Sequence, residues 1–432
     1  MRFKTLISAV LILSLIVLQF GCTNAKDAQG PGRSAAPDGS AAGSSFDART
    51  DFDNRFATQY LFLTEIDGVL VWKPVVQSEL LRYYVKETGE SGVLCSKPEC
   101  MHRDRVYNDE CNGCVFSAVR ALSYYNGQLY WVGYYSGQDA LNALYRMEPD
   151  STGRELVWKV DPPKDFAVKE YEVHRGKLYG LCVNQTVSAG EPQYTIAVIC
   201  ADLNDGNFET ILYDELECQN SYQDSAMIRF VGNHVYMAYS YRDQDGKDIF
   251  KVMRWDSQTG AAEELFSTHE IPSAVQGMWI DENEDMLLVP VLTDDPEQKL
   301  YRVRGGVLEA YLNRLDENGE FHGCHISDGV ICNYESVRGG WFDSKVWIRD
   351  FEGNTLFKGH LPTDFLAETP GEIKACSIMT TIRDGNAIIV PFSIPYLSSA
   401  GGGLETAYYL ARYELTEGGL RPTLMLSCSS GF

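Results

Sequence analysis

Hydrophobic and polar positions alternate in short runs along the chain, most clearly between Tyr124 and Val160. This stretch begins with an Asn-Gly turn at residues 126–127, followed by the apolar strand Leu129–Val132. An alternating strand follows at Ala143–Met147, and a turn containing Gly separates it from a last short strand. Alternation with a period of two indicates half-buried β-strands, and Asn-Gly between two such runs is typical of a tight hairpin. The stretch therefore predicts two hairpins in tandem, which make one four-stranded antiparallel sheet.

The same unit recurs down the chain about seven times, at the spacing of roughly 45 to 60 residues that propeller and kelch-like repeats have. Its opening turns lie at Gly68, Gly127, Gly176, Gly232, Asn283, Gly329 and Gly385. One small sheet cannot bury both of its faces, so the repeats must stack, and closure into a ring removes exposed edges. We therefore predict an all-β fold, a β-propeller of four-stranded blades over residues 52–432. Seven blades are preferred, with six or eight as alternatives, and an open β-solenoid or two β-sandwiches are the competing interpretations.

The N-terminus has the composition of an export signal. Residues 1–21 contain Arg2 and Lys4, then a predominantly apolar run from Leu6 to Leu18 that is short for a helix spanning a bilayer. Gly21-Cys22 follows this run. Residues 22–51 are rich in Ala, Gly, Ser, Pro and Asp, and we predict a flexible tether there because such a segment cannot bury enough apolar surface to become ordered.

The junction at Cys22 resembles the lipobox of bacterial lipoproteins, where a small residue precedes a Cys that becomes lipidated. Gly21 and Cys22 match, whereas Gln19 and Phe20 stand where the family favours Leu and a small residue. The resemblance implies a lipid on Cys22 that holds the protein on the outer face of the cell membrane, because two acyl chains give stable anchoring. An uncleaved membrane anchor, or ordinary cleavage nearby, is the alternative. In each case the folded part lies outside the cytoplasm.

Charge narrows the range of partners. The chain has 37 basic and 60 acidic residues, a formal net charge of −23. The phosphates of nucleic acids and of anionic lipids would be repelled, and a strong net charge keeps a protein soluble and unassociated. We therefore expect no nucleic-acid partner and a monomer.

One segment, residues 95–114, interrupts the repeat between the first two predicted blades. It contains Cys95, Cys100, His102, Cys111 and Cys114 around Pro and Gly residues. Three thiolates and an imidazole in a closed tetrahedron suit a structural Zn²⁺, with Cys114 as a substitute ligand. A pair of disulfides is the equal alternative, because exported loops without a core of their own are commonly cross-linked. A second, weaker metal-like cluster is His322, Cys324 and His325.

The cysteine-rich loop resembles a motif of exported, propeller-like lipoproteins of Gram-positive anaerobes, a group without a settled activity. Cys95, Pro98, Cys100, His102 and Cys111 match the motif position by position. The resemblance implies a propeller with a lipoprotein-type start. It also implies an anaerobic setting, which would favour metal over disulfides because thiols are not efficiently oxidised there.

Motifs of established catalytic sites are missing from the sequence. It has no Gly-x-Ser-x-Gly elbow, no His-Glu-x-x-His, no P-loop and no sialidase box. We therefore expect a non-catalytic binding or scaffold module for an extracellular glycan, peptide or envelope protein. Aromatic-rich segments are candidates for a binding rim, with packing between blades as their alternative, at Trp131–Tyr135, Tyr236–Tyr241 and Gly339–Phe342. The alternative function is a secreted carbohydrate-active hydrolase or lyase with carboxylates at the propeller channel.

Overall fold

The computed structural model describes most of the chain after Asp47. The described residues are 47, 51, 54–55, 62–74, 80–102, 111–115, 120–134, 142–188, 191–294, 297–319, 321, 323–327, 329–335, 345–362, 377–378, 381–397 and 404–429. The predicted signal peptide, Cys22, most of the tether and the Gly339–Phe342 segment lie outside these residues. Within them, no helix is long and apolar enough to cross a membrane.

Seven antiparallel sheets follow one another along the chain and form a ring, which confirms the predicted seven-bladed β-propeller. Blade 1 consists of β1 (Leu63–Ile66), β2 (Val69–Trp72), β3 (Arg82–Val85) and β4 (Ser91–Val93). Blade 2 consists of β5 (Arg120–Tyr125), β6 (Gln128–Tyr134), β7 (Asn142–Met147) and β8 (Glu155–Lys159). Blade 3 consists of β9 (Val168–His174), β10 (Lys177–Ser188), β11 (Glu191–Asp202) and β12 (Glu209–Leu216). Each strand pairs with the one before and after it in the blade.

Blades 4 to 7 repeat this order. Blade 4 consists of β13 (Cys218–Ser221), β14 (Met227–Val231), β15 (His234–Asp243), β16 (Asp248–Asp256) and β17 (Ala262–Thr268). Blade 5 consists of β18 (Val275–Ile280), β19 (Met286–Pro290), β20 (Lys299–Arg304) and β21 (Val307–Asn313), and blade 6 of β22 (Gly323–Ser327), β23 (Val330–Tyr334), β24 (Lys345–Arg349) and β25 (Thr355–His360). Blade 7 consists of β26 (Ser377–Ile378), β27 (Ile382–Asp384), β28 (Ala387–Leu397), β29 (Leu404–Thr416) and β30 (Gly419–Ser429). In blades 4 and 7 the inner strand is in two pieces. A 3₁₀ turn at Gln223–Ser225, the one helix assigned in the described ranges, separates the two pieces in blade 4.

The turn residues explain the register of the inner hairpins. Asp67-Gly68, Asn126-Gly127 and Arg175-Gly176 each have positive φ at both positions, between 45° and 85°. Two such residues form a type I′ turn, whose twist matches that of the strands on either side. The first strand of each blade is then innermost and the last outermost. Accordingly β14 is buried throughout, whereas β17 is mostly exposed.

The hydrophobic core lies between blades rather than inside any one of them. Seven apolar clusters of buried residues each join two neighbouring blades around the ring. In blades 1 and 2, for example, Val71 and Trp131 share a cluster, and in blades 3 and 4 Ile196 and Phe230 do. The strands therefore need apolar side chains on both faces, which is why nearly every strand carries Val, Ile, Leu or an aromatic residue.

Among the described strands, none is exchanged between the two ends of the ring. Blade 1 is built only from N-terminal strands and blade 7 only from C-terminal ones. Trp72 and Leu410 share the apolar cluster at this seam. The Lys86 Nζ lies 2.7 Å from a carboxylate oxygen of Glu65 in blade 1 and 2.7 Å from one of Asp384 in blade 7. Side-chain contacts, apolar and ionic, therefore hold the seam.

The chain just before blade 1 packs on the face that carries the inner hairpin turns. Asp51 is 1% exposed, and its carboxylate lies 2.6 Å from Nη2 of Arg175 in the blade 3 turn. The carbonyl of Asn54 accepts a bond from the Phe230 N–H of blade 4. The Arg55 guanidinium lies 3.3 Å from Glu282 and 5.2 Å above the Trp279 ring, both in blade 5. Asp51, the last residue of the predicted tether, therefore packs against blade 3, and the residues that follow it contact blades 4 and 5.

Candidate metal centre and surface groove

The cysteine-rich loop lies between β4 and β5, as the sequence indicates, and hydrogen-bonds to the start of β3. The N–H of Leu94 donates to Leu81 O, the N–H of Leu81 donates to Gly113 O, and Leu80 forms a β-bridge with Cys114. The backbone of the loop therefore lies close to the backbone of the neighbouring segments. A Cβ on Gly113 would lie 2.5 Å from the carbonyl oxygen of Leu94, so only glycine fits there.

This framework brings together four of the five predicted ligands. The ligand atoms of Cys95, Cys100, His102 and Cys111 all lie within 4.8 Å of one another. A Zn²⁺ tetrahedron with Zn–S bonds of about 2.3 Å and a Zn–N bond of about 2.0 Å has edges of roughly 3.3–3.8 Å. The separations between the four atoms therefore need to shorten by about 1.5 Å at most to match it. The structure thus contains a Cys₃His cluster within metal-binding distance.

Cys114 lies outside this group of four. It is fully buried, next to Leu80 in a small apolar cluster that backs the loop. All ten cysteines in the described ranges are free thiols, so none of them is paired in a disulfide. The arrangement of Cys95, Cys100, His102 and Cys111 is compatible with a structural zinc.

The thiols of the cluster influence one another's ionisation. Burial alone would raise the pKa of Cys95, but the N–H groups of Lys97 and Asn112 hold this pKa below its usual value. Burial, a contact with Cys100 and the charge on Cys95 raise the pKa of Cys111 to about 12. Thiolates this close repel each other, and a bound cation removes that penalty. The donor set therefore suits a soft divalent metal.

Contacts from blade 2 hold the loop in place. The Arg154 guanidinium donates to the carbonyls of Cys111 at 2.8 Å and Cys114 at 2.6 Å. The side-chain amide of Asn112 donates to the carbonyl of Ser151 at 2.5 Å. The cluster is therefore attached to the β7–β8 turn as well as to β3, and it links the first two blades.

The second predicted cluster does not form a metal site within the described ranges, and His322 lies outside them. The His325 ring packs on Tyr334, with ring centroids 4.8 Å apart, while Cys324 is buried. Burial lowers the pKa of His325 to about 4, so the ring is neutral near neutral pH. The two residues belong to the packing of blade 6.

The predicted aromatic rim is also largely interior where the structure describes it. Trp131, Tyr236 and Tyr239 are each at most 1% exposed. Trp131 stacks on Tyr145, with centroids 5.5 Å apart and planes 8° from parallel. Of the two interpretations offered by the sequence, packing between blades is correct for these residues. The same alternation of aromatic and polar positions serves both roles, so the sequence could not separate them.

A polar groove that the sequence did not reveal lies on the face opposite the inner turns. Three blades line it: Gln185 comes from β10, residues 220–225 come from the interrupted inner strand of blade 4, and Gln276 comes from the start of β18. Its volume is about 540 Å³. Ligand clefts span roughly 300–1,000 Å³, so the groove has the size of a binding site. Amides and hydroxyls predominate in its lining.

Comparison with known proteins identifies no family for this chain. No family model and no curated protein matches the chain. The fold is similar to the β-propeller domain of the Trilobed protease from Pyrococcus furiosus, with 10% identity over 86% of this chain and 95% of that one and a TM-score of 0.46. It is also similar to a Mycobacterium tuberculosis puromycin-hydrolyzing peptidase, with 12% identity over 89% of this chain and 56% of that one and a TM-score of 0.47. This chain therefore spans about half the length of that peptidase. A third similar structure is an oligogalacturonate lyase in complex with manganese, with 13% identity over 84% of this chain and 91% of that one and a TM-score of 0.46. At these values no activity follows from the likeness.

Proposed function

We propose that this chain is a non-catalytic binding module, a propeller that presents a polar groove to an extracellular glycan, peptide or envelope protein. The groove is the observation that carries the proposal, because three rigid blades converge to form it. We also propose that the protein is a monomer held on the outer face of the cell membrane by a lipid on Cys22. The basic start, the apolar run and Gly21-Cys22 support the anchor.

The groove's composition favours binding over turnover. Among the described residues that line it, Asp224 is the one acidic side chain, and His, Cys, Lys and Arg are absent. Glycoside hydrolysis by a pair of carboxyl groups requires a second acidic side chain beside the first. One exposed carboxylate does not supply that pair.

Binding and turnover can be measured on the same samples. The purified chain is titrated calorimetrically with soluble glycans and peptides, and each ligand is then analysed for cleavage. We expect saturable binding with the ligand recovered intact. Product formation that disappears when one carboxylate is changed to its amide would overturn the proposal.

The anchor has an independent test. Cells expressing the chain are fed labelled palmitate, and the protein is recovered from membrane and medium. The wild-type chain should carry the label and fractionate with membranes, whereas Cys22→Ser should carry no label. An unlabelled wild-type protein would contradict lipidation of Cys22.

We propose that the Cys₃His cluster holds Zn²⁺ through Cys95, Cys100, His102 and Cys111. Four protein ligands fill a tetrahedral site, so the metal's role is to stabilise the loop rather than to activate a substrate. Elemental analysis should find one zinc per chain. Cys111→Ser should lose it, while Cys182→Ser, a change at a buried thiol far from the loop, should keep it. Metal-free protein with oxidised cysteines in the loop would rule the site out.

One observation favours the alternative, a hydrolase or lyase with carboxylates at the channel. Glu170 and Glu172 lie two residues apart on the inner strand β9, near Arg229 of blade 4. Burial, then the charge of Glu170, raises the pKa of Glu172 to about 8, against the effect of Arg229. A protonated acid beside a second carboxyl group is what glycoside hydrolysis uses. If the chain cleaves a glycan and Glu172→Gln abolishes the cleavage, the alternative is correct.

A further inference from the structure

We infer that the groove binds an uncharged, hydroxyl-rich oligosaccharide, an inference that rests on the proposed binding function. Sugar hydroxyls both donate and accept hydrogen bonds, so a glycan site needs neutral groups that do both. Side-chain amides and hydroxyls meet this requirement, and they form most of the lining.

Three side-chain amides in the groove are available to form hydrogen bonds with a ligand. Within the described ranges, the side chains of Asn220, Gln223 and Gln276 make no hydrogen bond to protein, and Asn220 and Gln276 are exposed. Each amide offers two donors and an acceptor. A fourth amide, Gln185, has its Nε2 3.3 Å from the hydroxyl of Tyr194. The groove therefore presents donors and acceptors side by side.

The floor of the groove contains a buried hydroxyl without a protein partner. Ser221 lines the groove, is 6% exposed, and its Oγ makes no hydrogen bond to any described residue. A buried polar atom without a partner costs about 1–3 kcal/mol. A ligand hydroxyl that reaches the floor would recover this energy. Ser221 is therefore an independent indication of a polar ligand.

The groove is already shaped before any ligand arrives. The Lys169 ammonium donates to three carbonyls around the 3₁₀ turn, those of Gln223, Asp224 and Ala226, at 2.8–3.0 Å. The hydroxyl of Tyr222 donates to Asp248 at 2.7 Å, which fixes an aromatic ring at the groove. Fixed walls lower the ordering cost of binding.

The charge of the groove excludes one class of glycan. Asp224 is the one charged side chain among the described lining residues, and the ammonium of Lys169 is engaged by carbonyls. A uronic acid or a sulfated sugar would therefore meet a like charge without a compensating cation. The apolar part of the lining consists of Ala274, Val291 and the rings of Tyr194 and Tyr222, and an aromatic ring is a surface on which a sugar ring can stack. Neutral sugars fit best.

The test is calorimetric titration of the purified full chain with three probes. These are neutral xylo-, cello- and manno-oligosaccharides, an oligogalacturonide, and an uncharged peptide. Gln276→Ala and Ser221→Ala should each weaken binding of the neutral probe by about three- to tenfold, the equivalent of one lost hydrogen bond. Gln258→Ala, an exposed change in the β16–β17 turn on the opposite face, should have no effect.

A fourth variant tests the role of charge. Asp224→Asn should improve binding of the oligogalacturonide by about tenfold and leave that of the neutral probe nearly unchanged. Unfolding midpoints equal to the wild-type value confirm that each variant is folded, and Ser221→Ala should not be destabilised because it removes an unpaired hydroxyl.

Each failure has a distinct meaning. If no neutral oligosaccharide binds, the inference about glycans is wrong, and peptide binding in its place would leave the binding module intact. If a neutral glycan binds but Gln276→Ala and Ser221→Ala match the wild type, the groove is not its site. If the glycan is cleaved, the proposed non-catalytic function itself is wrong.

Discussion

The imidazole of His174 lies between the segment before blade 1 and blade 4, with 3% of the residue exposed. Its Nε2 is 2.7 Å from the carbonyl oxygen of Gly232, and its Nδ1 is 3.1 Å from the side-chain amide of Asn54. A neutral ring with its proton on Nε2 satisfies both contacts. Burial lowers the pKa of His174 to about 4, although the nearby carboxylate of Asp51 opposes this shift. The folded protein therefore favours the uncharged form of this histidine.

We expect the contribution of His174 to stability to depend on pH. Between about pH 6.5 and 4 the unfolded chain binds a proton that the folded chain rejects, so this histidine lowers the free energy of unfolding as the pH falls. The loss should reach roughly 2–3 kcal/mol at pH 4.5. In denaturant titrations at pH 7 and 4.5, His174→Gln should lose less stability on acidification than the wild type. His360→Gln, at an exposed position, should behave like the wild type, and an equal loss in both variants would contradict the assignment.

At the scale of single elements, the cysteine-rich loop depends on one close approach of two backbone segments. Gly113 has no space for a Cβ beside the carbonyl of Leu94. Gly113→Ala should push the loop away from β3, destabilise the protein by about 1–3 kcal/mol and reduce zinc retention. Gly418→Ala is the matched control, because that glycine lies in an exposed turn with no atom within 4 Å of an added Cβ. Thermal unfolding and metal content distinguish the two variants, and equal behaviour would show that the close approach is unimportant.

The elements that could be predicted are those whose signals are local. Asn126-Gly127 and the alternating strands beside it specify one hairpin within about a dozen residues. The four proposed metal ligands likewise share one short segment. The groove has no such signal: Ser221 and Gln276 come from different blades, and only ring geometry brings them together. For the same reason the sequence did not show that Asp51 packs against Arg175, more than a hundred residues later.

At the scale of the whole molecule, the ring has one boundary that differs from the others. In the part of the chain that the structure describes, blades 1 and 7 meet without a connecting loop or a shared strand, whereas every other pair of neighbours is also joined by the chain. The seam is therefore the place where the ring can open at the lowest cost, since separating the two blades there breaks only side-chain contacts. The contacts between Trp72 and Leu410 and the ion pairs of Lys86 oppose this opening.

Two lysines with similar surroundings allow the seam to be tested. Lys86 lies between Glu65 of blade 1 and Asp384 of blade 7, while Lys251 lies between Asp214 of blade 3 and Glu264 of blade 4. Replacing either lysine by Gln leaves two carboxylates without their shared cation, at a cost of about 1–2 kcal/mol.

Hydrogen exchange should distinguish the two variants. Lys86→Gln should reduce amide protection in blades 1 and 7 together, because the ring opens at the seam. Lys251→Gln should leave blades 1 and 7 as protected as in the wild type, since the chain connection still holds blades 3 and 4. If both variants lose protection in the same blades, closure of the ring does not depend on the seam.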